Sequence, residues 1–308
     1  MKAMIFKEFG GPLIYQDVPD LKAGNDEVVI EIHAASVNPA DHKVREGLYS
    51  GGANLQLPHI SGRDFSGVIR ELGADVQEFS LGDEVFGVLD VGHEGTYAEA
   101  VTEKASIIAK KPKFLSHPEA AALALTGLTA LVSLDDTAEL QPGEKLLIQG
   151  GAGGVGSYAV QFAHHTKADV IATASLRNHD YLKKLGADEV IDYNSVDFRE
   201  VVSDCDIVYD TVGGEVHRKS YDVLKPGGRM VYVAPQPKDF ELPRDDVKVM
   251  RPKVGRTRSH LERIIKLAES GSVIAPEIET IPLSQAHLAQ EKSKTGHVRG
   301  KLILEARN

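Results

Sequence analysis

The first part of the chain alternates short apolar runs with turn residues. Runs rich in β-branched and aromatic residues, such as 28–33 and 83–88, are separated by Gly, Pro, Asn and Asp. This pattern is typical of strands joined by turns. Because Pro39 and Pro58 cannot lie inside a strand, we expect loops with a short helix between them. The chain up to about residue 110 is therefore predicted to form a compact, mostly β module.

After Pro118 the pattern changes to alternating helices and strands. An Ala- and Leu-rich helix comes first, and a second helix is predicted from Val155 to about Thr166. Short apolar runs predict strands at 145–149, 169–174, 189–192, 206–210 and 229–233. Because strands that alternate with helices form parallel sheets, we expect an α/β domain with a doubly wound parallel sheet.

The last fifth of the chain begins with a basic stretch, 248–258, which holds five cations and no acid. It reads as a solvated or subunit-facing edge strand, and we do not interpret it as a nucleic-acid site. A helix near 259–270, a strand near Ile278, a helix from Ser284 and a last strand at 301–304 follow. We expect this segment to rejoin the first module.

Composition narrows the class of protein. The 308 residues are about twice a typical domain, and 42% hydrophobic with 26% charged residues is ordinary globular usage. The net charge of −10 would repel polyanions, so small-molecule partners are favoured over nucleic acid or anionic membranes. The longest uncharged apolar run, 120–134, has 15 residues, fewer than the roughly 20 that a membrane-spanning helix needs.

Cys205 is the single cysteine of the chain. It excludes an intrachain disulfide and every structural zinc site built from several cysteines, which favours a reducing compartment. Residues 1–8 reach an acidic residue before any long apolar stretch, so they do not read as a secretory signal. We therefore expect a cytoplasmic location.

A glycine-rich segment lies between the predicted strand at 145–149 and the helix after it. Gly151-x-Gly153-x-x-Gly156 has the spacing of a dinucleotide fingerprint in the context that the fingerprint requires. Without a Cβ atom, a pyrophosphate can approach the main chain, and the helix N-terminus supplies N–H donors. The alternative is a tight turn without a ligand. The predicted cofactor-binding residues are Gly151, Gly153, Gly154, Val155 and Gly156.

The end of the next strand indicates which dinucleotide binds. Ser175 lies 19 residues past Gly156, where an Asp or Glu would bind the ribose hydroxyls of NAD. The Ser175 hydroxyl and the Arg177 guanidinium would instead hold a 2′-phosphate, which favours NADP(H). The alternative for Arg177 is a solvated surface residue, because spacing alone does not show the direction of a side chain.

Nine segments of the chain resemble the zinc-independent quinone oxidoreductase branch of the medium-chain dehydrogenase/reductase superfamily. They occur in the order of that family at 36–41, 62–68, 81–87, 95–99, 126–130, 151–156, 185–188, 210–214 and 300–304. The resemblance implies a Rossmann domain, 118–254, inserted in a GroES-like catalytic domain made of 1–117 and 255–308. It also implies a homodimer, since members of the family commonly dimerise through the edge at 248–258.

The resemblance assigns further cofactor contacts. It implies that Tyr193 lines the pocket of the adenosine 2′-phosphate and that Val212 and Gly213 border the nicotinamide ribose. Thr129 would lie near the nicotinamide half. The alternative for Thr129 is a hydrogen bond back within its own helix.

The ligands that hold zinc in related dehydrogenases are replaced in this chain. Asn38 occupies the place of the first Cys, and Arg63-Asp64 replaces a His-Glu pair. Arg63 would repel a divalent ion. His93, in Gly92-His-Glu, lies in a loop and is interpreted as a loop histidine rather than a ligand. We therefore expect no metal at the site, and we expect neighbouring carboxylates to make Cys205 a poor thiolate.

A site without zinc lacks a strong Lewis acid for alcohol oxidation, whereas a hydride can add to an activated double bond. The enolate or phenolate oxygen that results needs hydrogen-bond donors, which the loop 38–49 supplies. By resemblance, position 43 carries Tyr in many quinone reductases and Lys in several plant enone reductases. Lys43 is predicted as the carbonyl electrophile, Tyr49 as pocket wall or second donor, and Asn38 as an orienting group. The alternative is that Lys43 and Tyr49 are solvated.

These observations predict a zinc-independent oxidoreductase that transfers hydride from NADPH to quinones or α,β-unsaturated carbonyls. The alternative from another class is a non-catalytic NADP(H)-binding structural or regulatory protein, since some relatives are lens crystallins or interaction proteins. A zinc-type alcohol dehydrogenase is disfavoured by the replaced ligands.

Overall fold

The structure, a computed structural model, describes residues 1–48, 55–90, 92–93 and 95–306. The chain divides into two compact units. The first consists of Met1–Leu125, Arg256–Lys266 and Ala275–Asn308, and the second of Thr126–Gly255 and Leu267–Ile274. The predicted domain boundaries, 117/118 and 254/255, stay a prediction. The compact units change over after Leu125, which lies within a continuous helix, and after Gly255.

The strands of the described residues are short. They are β1 (Lys2–Phe6), β2 (Ile14–Asp17), β3 (Glu27–Ser36), β4 (His59–Ile60), β5 (Asp64–Leu72), β6 (Glu84–Val88), β7 (Ala100–Lys104), β8 (Ile108–Lys110), β9 (Lys145–Gln149), β10 (Asp169–Ala174), β11 (Glu189–Asp192), β12 (Cys205–Asp210), β13 (Leu224–Tyr232), β14 (Lys248–Met250), β15 (Ile278–Pro282) and β16 (Lys301–Glu305). The helices are α1 (Pro39–Arg45), α2 (His117–Leu131), α3 (Gly154–His165), α4 (His179–Lys184), α5 (Gly214–Lys219), α6 (Arg258–Glu269) and α7 (Ala286–Lys294).

In the first unit, the described residues form two sheets. The smaller has the order β2-β1-β4, and the larger has the order β15-β16-β3-β5-β6-β8 with β7 also paired to β3. β16 runs antiparallel to β3, with Ile303 opposite Ser36. Between the sheets' buried faces lies an apolar core that includes Phe6, Ile30 and Phe65. The predicted return of the C-terminal segment to the first module is therefore confirmed.

The second unit is a parallel sheet of six strands in the order β11-β10-β9-β12-β13-β14. Every pair in it is parallel. The order reverses at β9, because β10 and β11 lie on one side of it and β12 to β14 on the other. The predicted doubly wound sheet is confirmed, and β14 is the predicted edge strand. β13 begins at Leu224 rather than Arg229, because the chain is already extended after a 3₁₀ turn at Ser220–Val223.

One helical stretch, His117–Thr137, is long and apolar enough by length and composition to cross a membrane. It consists of α2 and a π-helical continuation, Val132–Thr137. Of its most apolar window, 72% is buried inside the protein. This burial is expected of a helix in a protein core, where an apolar surface all round is covered by neighbouring elements.

Candidate active site

The glycine-rich loop lies at the carboxyl end of β9, where the strand order of the second unit reverses. Ligands of open parallel sheets bind at such a point, outside the carboxyl ends of the strands. The Gly151 N–H donates to the Thr173 carbonyl oxygen at 3.0 Å, and the Gly150 N–H donates to Thr173 Oγ1 at 3.1 Å. These bonds fix the start of the loop against β10.

The loop has glycine where another residue would not fit. A Cβ atom on Gly156 would lie 2.2 Å from the Gly150 carbonyl oxygen, so a side chain there would push α3 away from β9. A Cβ atom on Gly153 would meet nothing nearer than the Gly150 carbonyl oxygen at 3.6 Å. The outer face of the loop is therefore open while its inner face is closely packed.

The start of α3 fits the pyrophosphate of a dinucleotide. Gly153 precedes the helix in an extended conformation, and among the described residues no side chain caps it. The first N–H groups of a helix have no partner within the helix, and their dipoles favour an anion. Gly154, Val155 and Gly156 present such N–H groups beside the open face of Gly153. The glycine loop thus fits the diphosphate that the sequence predicts.

The residues predicted to select the cofactor follow β10 and β11. Ser175 is half-buried directly after β10, and its Oγ accepts a hydrogen bond from Asn178 Nδ2 at 3.2 Å. Arg177 is exposed one turn further on, and Tyr193 is 49% exposed just after β11. Since neighbouring parallel strands end at the same edge, these groups lie on the β10 side of the glycine loop. Their contacts with a 2′-phosphate stay a prediction.

The loop after β12 lies on the other side of the glycine loop. Thr211 Oγ1 donates to the Gln149 carbonyl oxygen at 2.7 Å. Val212 is 51% exposed, whereas Gly213 is buried with a φ of +81°. Thr129 lies half-buried on α2, and its carbonyl oxygen accepts a hydrogen bond from Ser133 Oγ at 2.6 Å. The predicted roles of Thr129, Val212 and Gly213 toward the nicotinamide half stay predictions.

In the first unit, α1 carries Lys43, one of the three predicted reacting residues, and Asn38 directly precedes this helix. Pro39 occupies the first turn, where its missing N–H costs nothing, and the Asp41 carboxylate accepts from the Asn38 N–H at 2.8 Å. Lys43 lies half-buried on this helix. Tyr49 lies outside the described residues. The predicted roles of Lys43 and Tyr49 are therefore not tested by the geometry.

Asn38 is part of a buried polar cluster that we call the Asp64 cluster: Ser36, Asn38, Asp64 and Lys301. Asp64 accepts from Ser36 Oγ at 2.5 Å and from Asn38 Nδ2 at 2.6 Å. Lys301 Nζ donates to Asn38 Oδ1 at 2.8 Å. The Asn38 side chain is 4% exposed, and its amide is directed into this cluster. The structure thus places Asn38 as an internal bridge between an acid and a cation.

In the Asp64 cluster, burial and the partner charge shift the pKa values of Asp64 and Lys301 in opposite directions. Burial raises the pKa of Asp64, and Lys301 opposes that shift. Burial also lowers the pKa of Lys301, although Asp64 raises it. Lys301 was not predicted from the sequence as a site residue, although the sequence contains a signal, since a lysine begins the apolar run 301–304. A lysine at a buried strand position requires a carbonyl or carboxylate partner.

A second buried acid lies beside this cluster. Asp41 is 2% exposed, and its Oδ2 accepts from the Tyr97 hydroxyl at 2.8 Å. Burial raises the pKa of Asp41 to about 6, against the opposing charge of Arg63. Arg63 is itself 2% exposed. The place that holds a zinc ligand pair in related dehydrogenases therefore contains a buried guanidinium and a carboxylate.

The donor set does not fit a zinc ion. The described residues contain no group of three or more His, Cys, Asp or Glu side chains arranged to hold a metal. Burial raises the pKa of the Cys205 thiol to about 12, so its thiolate form is disfavoured. The direction agrees with the prediction, but its cause is corrected: burial contributes more than the neighbouring carboxylates. Arg63 and Lys301 supply two cations, which would repel Zn²⁺, and the amide oxygen of Asn38 already accepts from Lys301.

Comparison with known proteins identifies the family. The family described as "Alcohol dehydrogenase GroES-like domain" matches residues 24–113, and "Zinc-binding dehydrogenase" matches residues 185–304. The "Chloroplast envelope quinone oxidoreductase homolog" of Arabidopsis thaliana is 32% identical over 99% of this chain and 98% of its own length. The chain belongs to the quinone oxidoreductase branch of the medium-chain dehydrogenase/reductase superfamily. The predicted resemblance is thereby confirmed.

Two further proteins support the assignment to this quinone oxidoreductase branch. The Arabidopsis thaliana "NADPH-dependent alkenal/one oxidoreductase, chloroplastic" is 31% identical over 99% of this chain and 79% of its own length. The solved structure of the quinone oxidoreductase from Coxiella burnetii has 37% identity and a TM-score of 0.91, covering 100% of this chain and 99% of that one. The predicted fold, a Rossmann sheet inserted in a GroES-like domain, and the oxidoreductase class are confirmed.

Proposed function

We propose that this quinone oxidoreductase family member reduces quinones or α,β-unsaturated carbonyls with NADPH and without zinc. The observation that carries the proposal is the Asp64 cluster. Asn38 and Asp64, which stand where related dehydrogenases carry zinc ligands, are hydrogen-bonded to each other, and Asn38 also accepts from the buried ammonium of Lys301. Without a Lewis acid, an activated acceptor is the substrate class that hydride transfer can still reach. The names of the relatives, which include both quinone and alkenal/one oxidoreductases, support this substrate class.

The choice of NADPH rests on the residues after β10. Ser175 offers a hydroxyl and Arg177 a guanidinium at the position where NAD enzymes carry an acid. A guanidinium binds a phosphate through charge-assisted hydrogen bonds, whereas a carboxylate would repel it. The name of the Arabidopsis thaliana alkenal/one oxidoreductase specifies NADPH.

The chain's own groups perform two tasks in the proposed reaction. When bound, the nicotinamide supplies the hydride. The glycine loop and the first turn of α3 hold the diphosphate through N–H groups. Lys43 directs its ammonium at the carbonyl oxygen of the acceptor, whose charge grows as hydride adds to the β-carbon. Protonation of the resulting enolate at the α-carbon by water completes the reduction.

We also propose that the protein is cytoplasmic. The buried, weakly acidic Cys205 supports a compartment that does not require disulfides.

We propose further that the protein forms a homodimer. Among the described residues, the short edge strand β14 pairs with β13 on one side and has no strand on the other. An exposed sheet edge is a template for pairing with a second chain. Light scattering of the purified protein distinguishes a dimer from a monomer.

One experiment tests the proposed function directly. The purified protein is assayed for NADPH oxidation with quinones, enals and enones, and in parallel for NADP⁺ reduction with simple alcohols. We expect turnover with at least one activated acceptor, no turnover with alcohols, and no stoichiometric zinc by elemental analysis. Alcohol oxidation with stoichiometric zinc would contradict the proposal. Tight NADPH binding without any turnover would favour the non-catalytic alternative.

A further inference from the structure

A fully buried histidine–aspartate pair lies behind the loop that follows β12. Asp210 is the last residue of β12 and His217 lies on α5, and both are 0% exposed. His217 Nδ1 lies 2.9 Å from Asp210 Oδ2. A buried carboxylate needs hydrogen-bond donors, and His217 supplies one of them to Asp210. Neither residue belongs to the glycine-rich motif.

The other oxygen of Asp210 holds the loop itself. Its Oδ1 accepts hydrogen bonds from the Val212 N–H and the Gly213 N–H, both at 2.9 Å. The Gly213 φ of +81° permits this tight turn, which a residue with a Cβ atom rarely adopts. One carboxylate therefore connects His217 on one side with two loop amides on the other.

The loop lies against the dinucleotide-binding turn. A Cβ atom on Gly150 would lie 2.8 Å from Thr211 Oγ1 and 2.9 Å from a methyl carbon of Val212. Ser175, Arg177 and Tyr193 follow strands on the opposite side of β9. A dinucleotide with its diphosphate on α3 and its 2′-phosphate on the β10 side must extend its nicotinamide half toward the β12 side.

The surroundings of His217 define its hydrogen-bonding state. Nδ1 faces a carboxylate and therefore carries a proton that it donates. Nε2 faces two donors, the Tyr221 hydroxyl at 3.3 Å and the Gln236 Nε2 amide at 3.2 Å, so it accepts. The rings of Tyr221, Tyr232 and Phe240 meet the imidazole edge to face at 5.4, 5.1 and 4.9 Å. The ring is thus held in one orientation, with its Nδ1–H directed at Asp210.

We propose that His217 is a positioning residue for the nicotinamide half of the cofactor. It fixes the Asp210 carboxylate, and that carboxylate fixes the amides of Val212 and Gly213 beside the site of the dinucleotide. Hydrogen bonds behind a binding group orient it, and their loss lowers affinity without touching the ligand. This inference rests on the proposed function, because it requires that the protein binds NADPH.

The experiment compares two ligands on three variants. NADPH carries both halves of the cofactor, whereas 2′,5′-ADP carries only the adenosine half with its 2′-phosphate. His217→Asn places an amide donor near the position of Nδ1, and His217→Gln places its amide near the position of Nε2 instead. His217→Phe keeps the ring shape and removes both nitrogens. Isothermal titration calorimetry gives Kd for each pair, and thermal melting confirms that each variant is folded.

We expect His217→Phe and His217→Gln to raise the Kd of NADPH about 10-fold or more, the scale of one lost hydrogen bond to a charged group. The Kd of 2′,5′-ADP should stay within about twofold, because that ligand does not reach the loop. His217→Asn should restore most of the NADPH affinity.

Four outcomes overturn the inference. Equal losses for NADPH and 2′,5′-ADP would make His217 a general structural residue. Unchanged NADPH binding by folded His217→Gln, even if His217→Phe does not fold, would show that the Nδ1 bond is dispensable. Equal behaviour of His217→Asn and His217→Gln would show the same. A wild-type protein that binds neither ligand would overturn the proposed function itself, and the inference with it.

Discussion

Both units bury a carboxylate completely, but they stabilise it in different ways. Asp64 accepts hydrogen bonds from side chains at positions 36 and 38 and from the N–H of Leu125 at 3.4 Å. Asp210 accepts from the backbone N–H groups two and three residues further on and from His217. The partners of Asp64 thus come from distant segments, whereas those of Asp210 come from the residues that follow it.

This difference shows how far each buried carboxylate depends on the fold of its own unit. The Asp64 cluster exists only if β16, near the end of the chain, pairs with β3, because Lys301 reaches Val37 and Asn38 across that pairing. The Asp210 loop forms within one strand–turn–helix segment. Perturbing the first should therefore affect global stability, whereas perturbing the second should affect ligand binding.

The largest expected effect is that of Lys301→Met. The ammonium donates to the Val37 carbonyl oxygen at 2.9 Å and to Asn38 Oδ1 at 2.8 Å, and it compensates the buried Asp64. Removing one member of a buried charge pair typically costs about 3–5 kcal/mol. We expect a loss of that size in the free energy of unfolding, measured by urea denaturation. Exposed Lys7→Met is the matched control, and a loss below about 1 kcal/mol for Lys301→Met would contradict the prediction.

The next largest effect concerns Lys43 and is kinetic. A donor aimed at a developing oxyanion strengthens in the transition state, so its removal lowers kcat more than binding. Lys43→Ala is expected to lower kcat for enones by roughly 10- to 1,000-fold with nearly unchanged NADPH affinity. Quinones, which accept hydride more readily, should lose less, and Lys43→Arg should retain part of the rate. If Lys43→Ala keeps an undiminished kcat toward its best enone, Lys43 is a solvated residue without a role in the reaction. Tyr49 would then be the next residue to test.

A third prediction uses the raised pKa of Asp41, about 6 in the folded protein against an ordinary value of 3.8. Between these pH values the folded state binds more protons than the unfolded state, so this group's stabilising contribution is present below pH 4 and is lost as pH rises through 6. The free energy of unfolding of wild type relative to Asp41→Asn should fall by up to about 3 kcal/mol from pH 4 to pH 7. Exposed Asp180→Asn should show no such trend. A pH-independent difference between wild type and Asp41→Asn would refute the assignment.

The smallest expected effect is that of Arg177→Ala on the affinity for NADPH. If Ser175 and Arg177 hold the 2′-phosphate, Arg177→Ala should weaken NADPH binding by roughly 1.5–3 kcal/mol and barely change NADH binding. Fluorescence titration with both cofactors measures the two affinities. Arg251→Ala, on the same unit and also exposed, is the control. If Arg177→Ala weakens NADPH and NADH binding equally, Arg177 does not bind the 2′-phosphate.

Much of the second unit could be predicted from local patterns. The strands at 145–149, 169–174 and 189–192 have the predicted bounds, because each is a continuous apolar run ended by turn residues. The glycine spacing is equally local, since the clash of a Cβ atom on Gly156 involves a residue six positions earlier. His217 was missed because a histidine in a polar helix resembles a solvated residue until the tertiary contacts bury it.

The sequence by itself determined the five main strands of the second unit, the mostly β character of the first unit and the glycine loop, because hydrophobic periodicity and backbone sterics act over a few residues. It also determined that the ligands expected of a zinc enzyme are replaced at positions 38 and 63. The tertiary structure alone decided that Lys301 compensates Asp64 through Asn38, that Asp41 is buried with Tyr97, and that His217 supports Asp210. These contacts depend on which side chains lose water together, and burial of a charge is a property of the assembled fold rather than of any segment.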